Sequence, residues 1–180
     1  MIGIPALNEE DSIANVVTQV DLGLKKYFPN CSNIIVNISS GSKDNTINVF
    51  KTTKTYSKKV NLYPKHKLRG KGWNILKMID FAIKHNVKYL AFVDSDLMSI
   101  KPNWVYKLIK PIKINEADFV IPLYKRNRYE GSTTNHFCVP VLKHYLKLET
   151  PIRQPIGGEF AFNLKFAKKI GKAKKHPNVY

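Results

Sequence analysis

No apolar run in this chain approaches the roughly 18 residues that a helix needs to cross a bilayer. Its first residues lack a basic stretch followed by an apolar core, so no secretory leader is expected. Cysteine is scarce: Cys31 and Cys138 stand alone, without Cys-x-x-Cys or zinc spacing. They read as free thiols of a reducing compartment, and the protein as cytoplasmic. Acidic residues are also few, 13 against 30 Lys and Arg, which leaves a net charge of +17. Arginine is nearly missing, with only Arg69, Arg126, Arg128 and Arg153. Nucleic-acid readers concentrate arginine among aromatics, whereas here lysines spread along the chain, with runs at 65–71, 107–113 and 165–175. No nucleic-acid partner is expected. Such a field suits a nucleotide sugar, a phosphorylated acceptor or peripheral contact with an anionic membrane.

What is present is enough for one core: 180 residues, 43% hydrophobic and 11% aromatic, fit a single globular domain. Strand-like runs at 1–5, 33–38, 59–63, 89–93 and 118–123 alternate with helix-like stretches. Residues 9–26 place Ile13, Val16, Val17, Val20 and Leu24 at helical spacing behind acidic residues expected in the first turn. Asp44 is positioned to cap a second helix. Trp73, Leu76, Phe81 and their neighbours outline a third helix, Pro102 opens a fourth, and 136–148 reads as helical with the helix proper near Pro140. This alternation points to a parallel sheet wrapped by helices, with ligands at the carboxyl ends of the strands.

The strand ends hold the chemistry. After the strand Tyr-Leu-Ala-Phe-Val come Asp94-Ser95-Asp96; carboxylates two apart in an extended chain point the same way. Hard divalent ions favour such oxygen ligands and share them with substrate phosphates. After the first strand comes Pro-Ala-Leu-Asn-Glu-Glu, after the second Ser-Ser-Gly-Ser, and before the third helix Arg-Gly-Lys-Gly. Glycines at a helix start allow phosphate to approach, and Lys71 adds a point charge.

These motifs resemble the GT-A nucleotide-sugar glycosyltransferases of the family-2-like kind along most of the chain. Residues 131–142 (Gly-Ser-Thr-Thr-Asn-His-Phe-Cys-Val-Pro-Val-Leu) and 154–161 (Gln-Pro-Ile-Gly-Gly-Glu-Phe-Ala) are similar to the acceptor and sugar motifs of retaining glucosyl-3-phosphoglycerate and mannosylglycerate synthases. The resemblance implies an α/β, Rossmann-like GT-A domain over 1–180 with a mixed, mainly parallel sheet. Residues 1–97 would form its nucleotide half and 98–180 its acceptor and sugar half, with the family's last C-terminal part missing. It assigns Pro5, Ala6, Leu7, Glu9, Ser39, Ser40, Gly41, Lys71, Asp94 and Ser95 to the nucleotide sugar. Asp96 and Asp94 take Mg²⁺ or Mn²⁺. Gly131, Ser132, Thr133, Thr134 and Arg128 take the acceptor. Asp96, Ile156 and Glu159 fall at the reaction centre.

Two positions depart from the family pattern. Ser39 stands where an Asp usually contacts uracil, which leaves room for a guanosine donor. Ser132 stands where an Arg usually binds the acceptor phosphate. The implied reaction is metal-dependent transfer of a hexose from a UDP-glucose or GDP-mannose type donor to a small acidic or phosphorylated acceptor, with retention, by a chain that could pair as a homodimer. An inverting polyprenyl-phosphate glycosyltransferase and an impaired nucleotide-sugar-binding protein of the same fold remain as alternatives.

Overall fold

The computed structural model describes residues 1–39, 41–63, 70–124, 131–145, 147 and 152–173. Strands β1 (Ile2–Ala6), β2 (Ile34–Ser39), β3 (Lys58–Leu62), β4 (Tyr89–Phe92), β5 (Phe119–Val120) and β6 (Phe160–Asn163) make one sheet in the order β3-β2-β1-β4-β6-β5. β1 pairs in parallel with β2 and β4, and β2 with β3. β6 runs antiparallel between β4 and β5, so the sheet is mixed and mainly parallel.

Helices cover both faces. α1 (Ile13–Tyr27), α2 (Thr46–Thr52) and α4 (Pro102–Lys113) share a core with Ile2, Ile4, Ala91 and Ala161. α3 (Lys71–Lys84) and α6 (Leu164–Ala173) close the other side over Val36, Ile38, Leu90, Phe92 and Phe162. Strand alternation decides which side chain joins which core: along β4, Leu90 and Phe92 face α3, and Ala91 faces α1. Gly3 in β1 lies beneath Phe92 and Met78, where a Cβ would come within 2.7 Å of the Phe92 ring. Gly23 lets α1 meet the Pro102 carbonyl, against which a Cβ would collide. A π-helical stretch, Thr133–Cys138, runs into α5 (Val139–His144).

Four expectations change. α1 starts at Ile13 with no acidic residue in its first turn, because Glu9 and Glu10 are used earlier, in a link between loops. The strand anticipated at 118–123 keeps only Phe119–Val120 in register with β6; beyond it the chain leaves the sheet and carries Tyr124 to Glu159. Helical structure around His136 begins sooner, at Thr133. The antiparallel β6 and the lysine-rich α6 were not anticipated at all.

Candidate active site

The strand order reverses between β1 and β4: β1 leads to β2 on one side, while β4 lies on the other. Open α/β sheets bind ligands at such a switch, outside the carboxyl ends of the strands. Here a cavity of about 390 Å³ opens at that place, within the usual range for small-molecule sites. Its walls are the loop after β1, the β2–α2 loop, the first turn of α3 and the turn after β4.

Two of these loops are stitched together. The Asn8 amide N–H donates to Ser42 Oγ at 2.9 Å, and the Lys43 N–H donates back to Asn8 Oδ1 at 2.9 Å. The Glu9 N–H donates to Thr46 Oγ1 at 2.8 Å. The Glu10 N–H reaches Asp44 Oδ2 at 3.1 Å, and the Asn45 N–H reaches Glu10 Oε2 at 2.8 Å. Asn8 takes a left-handed backbone, φ 55°, which Asn tolerates better than most residues. Burial pushes the Asp44 carboxyl up, but donors from Thr46 and Glu10 together outweigh it and hold it below the usual carboxylate range. The loop that follows the buried Pro5–Ala6 end of β1 is therefore held by main-chain N–H groups donating to side chains.

The opposite wall is charged. Gly70, with φ 134°, precedes α3, and Lys71 begins it. The Lys71 ammonium meets Asp94 Oδ1 at 2.5 Å. Asn74, one helical turn on and nearly buried, also lines the cavity. Ser95 is buried and Asp96 exposed. From 64 positions along the chain, Gly158 comes against Asp94 so closely that it has no space for a side chain. The neighbouring Glu159 is 4% exposed and accepts a hydrogen bond from the Tyr124 hydroxyl. Burial, then the charge of Asp94, push the Glu159 carboxyl above its ordinary range.

Of the residues singled out in the sequence, Pro5, Ala6, Leu7, Glu9, Gly41, Lys71, Asp94, Ser95 and Asp96 share this one cavity wall. Glu9 does double service, because its carboxylate also accepts the Ser12 hydroxyl at 2.6 Å and its carbonyl accepts the Ile13 N–H. Ser39 is buried instead of lining the cavity, with its hydroxyl 2.5 Å from that of Ser42. Ile156 is half-exposed outside the cavity wall. Ser132 and Thr133 are exposed, Gly131 is partly so, and Thr134 is 2% exposed, its side chain turned inward. Ser40 and Arg128 lie outside the described residues. Asn8, Lys43 and Asn74 were missed; the i+3 step from Lys71 to Asn74 on a helix is the signal that could have found the last of them.

Among the described residues no three His, Cys, Asp or Glu converge as a metal cage. Asp94 and Asp96 do supply two carboxylates to one wall. That donor set fits Mg²⁺ or a similar ion, which takes one or two carboxylates and completes its shell with phosphate and water.

The model of the family described as glycosyl transferase family 2 matches residues 1–171. The chain is 27% identical over 184 residues to a glucosyl-3-phosphoglycerate synthase of Petrotoga mobilis, covering 94% of this chain and 54% of that protein. It is 27% identical over 173 residues to the enzyme of that name from Mycolicibacterium smegmatis, covering 88% and 54%. The chain thus spans about half the length of the curated relatives it matches. The crystal structure of the Mycobacterium tuberculosis glucosyl-3-phosphoglycerate synthase with Mn²⁺, UDP-glucose and phosphoglyceric acid shares the fold. Its TM-score is 0.72 at 24% identity, over 91% of this chain and 56% of that one.

Proposed function

The chain belongs to glycosyl transferase family 2, and on that footing we propose that it moves a hexose from a nucleoside diphosphate sugar to an acceptor hydroxyl. The donor is of the UDP-glucose or GDP-mannose type, the acceptor is acidic or phosphorylated, and the anomeric configuration is retained. One observation carries this reading: Lys71, at the start of α3, and the Asp94–Asp96 turn line the same cavity at the β1/β4 switch. A diphosphate suits that wall, since free helix N–H groups and an ammonium both favour anions. The relatives' names, and the solved complex with Mn²⁺ and UDP-glucose, support the same donor chemistry.

Asp96 and Asp94 would hold Mg²⁺ or Mn²⁺, which when bound offsets the charge left on a departing diphosphate. Lys71 contributes a second positive charge beside it. Pro5, Ala6 and the exposed Leu7 offer a flat apolar shelf to the base, and Glu9 offers its carboxylate to the ribose. The resemblance assigns the Ile156 carbonyl to the face of the anomeric carbon. Glu159, buried and held by Tyr124, positions a sugar hydroxyl. The likeness of residues 154–161 to the sugar motif of the retaining synthases favours retention over the inverting route.

The test is a thermal-shift and titration panel of UDP- and GDP-sugars with and without Mn²⁺, followed by NMR of the product's anomeric proton. A ligand that binds only the folded chain must raise its melting temperature. If neither nucleotide sugar stabilises the protein in the presence of metal, the reading is wrong.

A further inference from the structure

A second pocket lies on the other side of Tyr124. Trp104, Lys107 and Leu108 of α4 and Pro122, Leu123 and Tyr124 beyond β5 enclose about 190 Å³. The Trp104 and Tyr124 rings stand 6.0 Å apart. Leu108 is buried, but Leu123 is 62% exposed and Trp104 only half-buried, so apolar surface faces water here. Lys107 is exposed, and no carboxylate among the described residues pairs with it. Tyr124 joins the pocket to the site already described: it forms part of the pocket wall and donates its hydroxyl to Glu159.

Position and chemistry together identify an occupant. The donor cavity lies on the β1 side of β4, whereas this pocket lies on the β5 side and shares Tyr124 with Glu159, the carboxylate beside Asp94. An apolar cavity of about 150 Å³ admits a benzene-sized group, so this one holds a single ring or a compact branched chain. The ammonium of Lys107 attracts an anionic group next to it.

Resting on the transferase reading, we propose that this pocket is an acceptor subsite. It takes a compact apolar group carried by an acceptor whose anionic group meets Lys107. The acceptor is then amphipathic, not merely a small acid, and Trp104 and Leu123 set that preference.

The experiment compares phenyl phosphate with methyl phosphate, which carries the same charge and lacks the ring. Both are titrated calorimetrically into the 180-residue chain with the donor cavity filled by UDP and Mn²⁺. Phenyl phosphate is expected to bind about tenfold tighter or more, the worth of burying one ring. That ratio falls toward one in Trp104→Ala and in Leu123→Asp, while Lys107→Gln weakens both phosphates alike. Leu123 is surface-exposed, so its variant folds even if the Trp104 variant does not. A ratio near one in the native chain, or a ratio that survives Leu123→Asp, overturns the proposal. UDP binding is measured separately: its absence counts against the transferase reading, while a missing phenyl preference with UDP bound counts only against the subsite.

Discussion

Gly158 lies against the Asp94 carboxylate with no room for one more carbon: a Cβ there would collide with Oδ2 and stand 2.6 Å from Cγ. Asp94 is thereby gripped from two sides, by the Lys71 ammonium and by the main chain of the turn that leads into β6. The turn that the resemblance assigns to the sugar and the carboxylates assigned to the metal are thus one mechanical unit.

Gly158→Ala is expected to displace Asp94 and cut transfer by on the order of a hundredfold, since an ångström of misplacement costs about that much. The backbone there is not left-handed, so the collision is the cause. Gly157→Ala is the control, because its Cβ would meet nothing closer than Ile121 at 3.4 Å. Equal losses in the two variants, read as initial rates with saturating donor, contradict this account.

Lys71→Met removes the cation at the start of α3. The pair it makes with Asp94 is half exposed on the lysine side, at 51%, and such pairs contribute about 1 kcal/mol of stability or less. Melting temperature should therefore barely move. UDP affinity should drop about tenfold or more, the scale of a hydrogen bond to a charged group, and uridine affinity should not. A parallel loss for uridine would place Lys71 away from the phosphates.

Glu159→Gln should abolish most transfer and yet stabilise the apo protein above the ordinary carboxylate range. The sign follows from the raised folded pKa. As pH rises, the unfolded chain releases this proton first, so the folded chain binds more protons and stability falls with pH. Glutamine fits the same space without ionising. The melting-temperature gap between variant and native protein should widen from pH 4 toward neutrality; a constant or shrinking gap refutes it.

The parts of this site that the sequence made legible are those carried by strand ends. Asp94, Asp96 and Leu7 follow short apolar runs, and a run that ends in polar residues marks its own carboxyl edge. Lys71 was legible through its flanking glycines. Ser39 misled, because a hydroxyl can face a ligand or satisfy a neighbour, and here Ser42 takes it. β6 and α6 were hidden for two reasons. The strand Phe160–Asn163 has four residues and follows a turn that drew attention for its polar groups. In α6 the lysines stand among Phe166, Ala167 and Ile170, which face the α3 core, and the charge run concealed that apolar stripe. The β1–α1 to β2–α2 stitching joins residues about 35 apart through main-chain donors, and no local pattern encodes it.

Asp44→Asn tests that stitching, with a pH dependence opposite to that of Glu159. The Asp44 carboxylate accepts the Thr46 N–H at 3.1 Å and the Thr46 hydroxyl at 2.5 Å on one oxygen, and the Glu10 N–H at 3.1 Å on the other. An amide has one acceptor oxygen and cannot serve both, so Asn gives up one of the links between the Glu10 loop and the β2–α2 loop and loosens that contact. Because the folded pKa lies below the ordinary value, the native protein holds this stabilisation above the carboxylate range and loses it as pH falls through that range. The variant should melt earlier than the native chain at pH 7, and the gap should narrow as pH falls below the ordinary carboxylate range. Its UDP affinity should fall as well, since Leu7 and Glu9 ride on the loosened loop, while phosphate-only contacts at Lys71 keep their strength. A gap in melting temperature that stays unchanged down to the lowest pH at which the chain folds would mean that Asp44 acts through shape rather than charge.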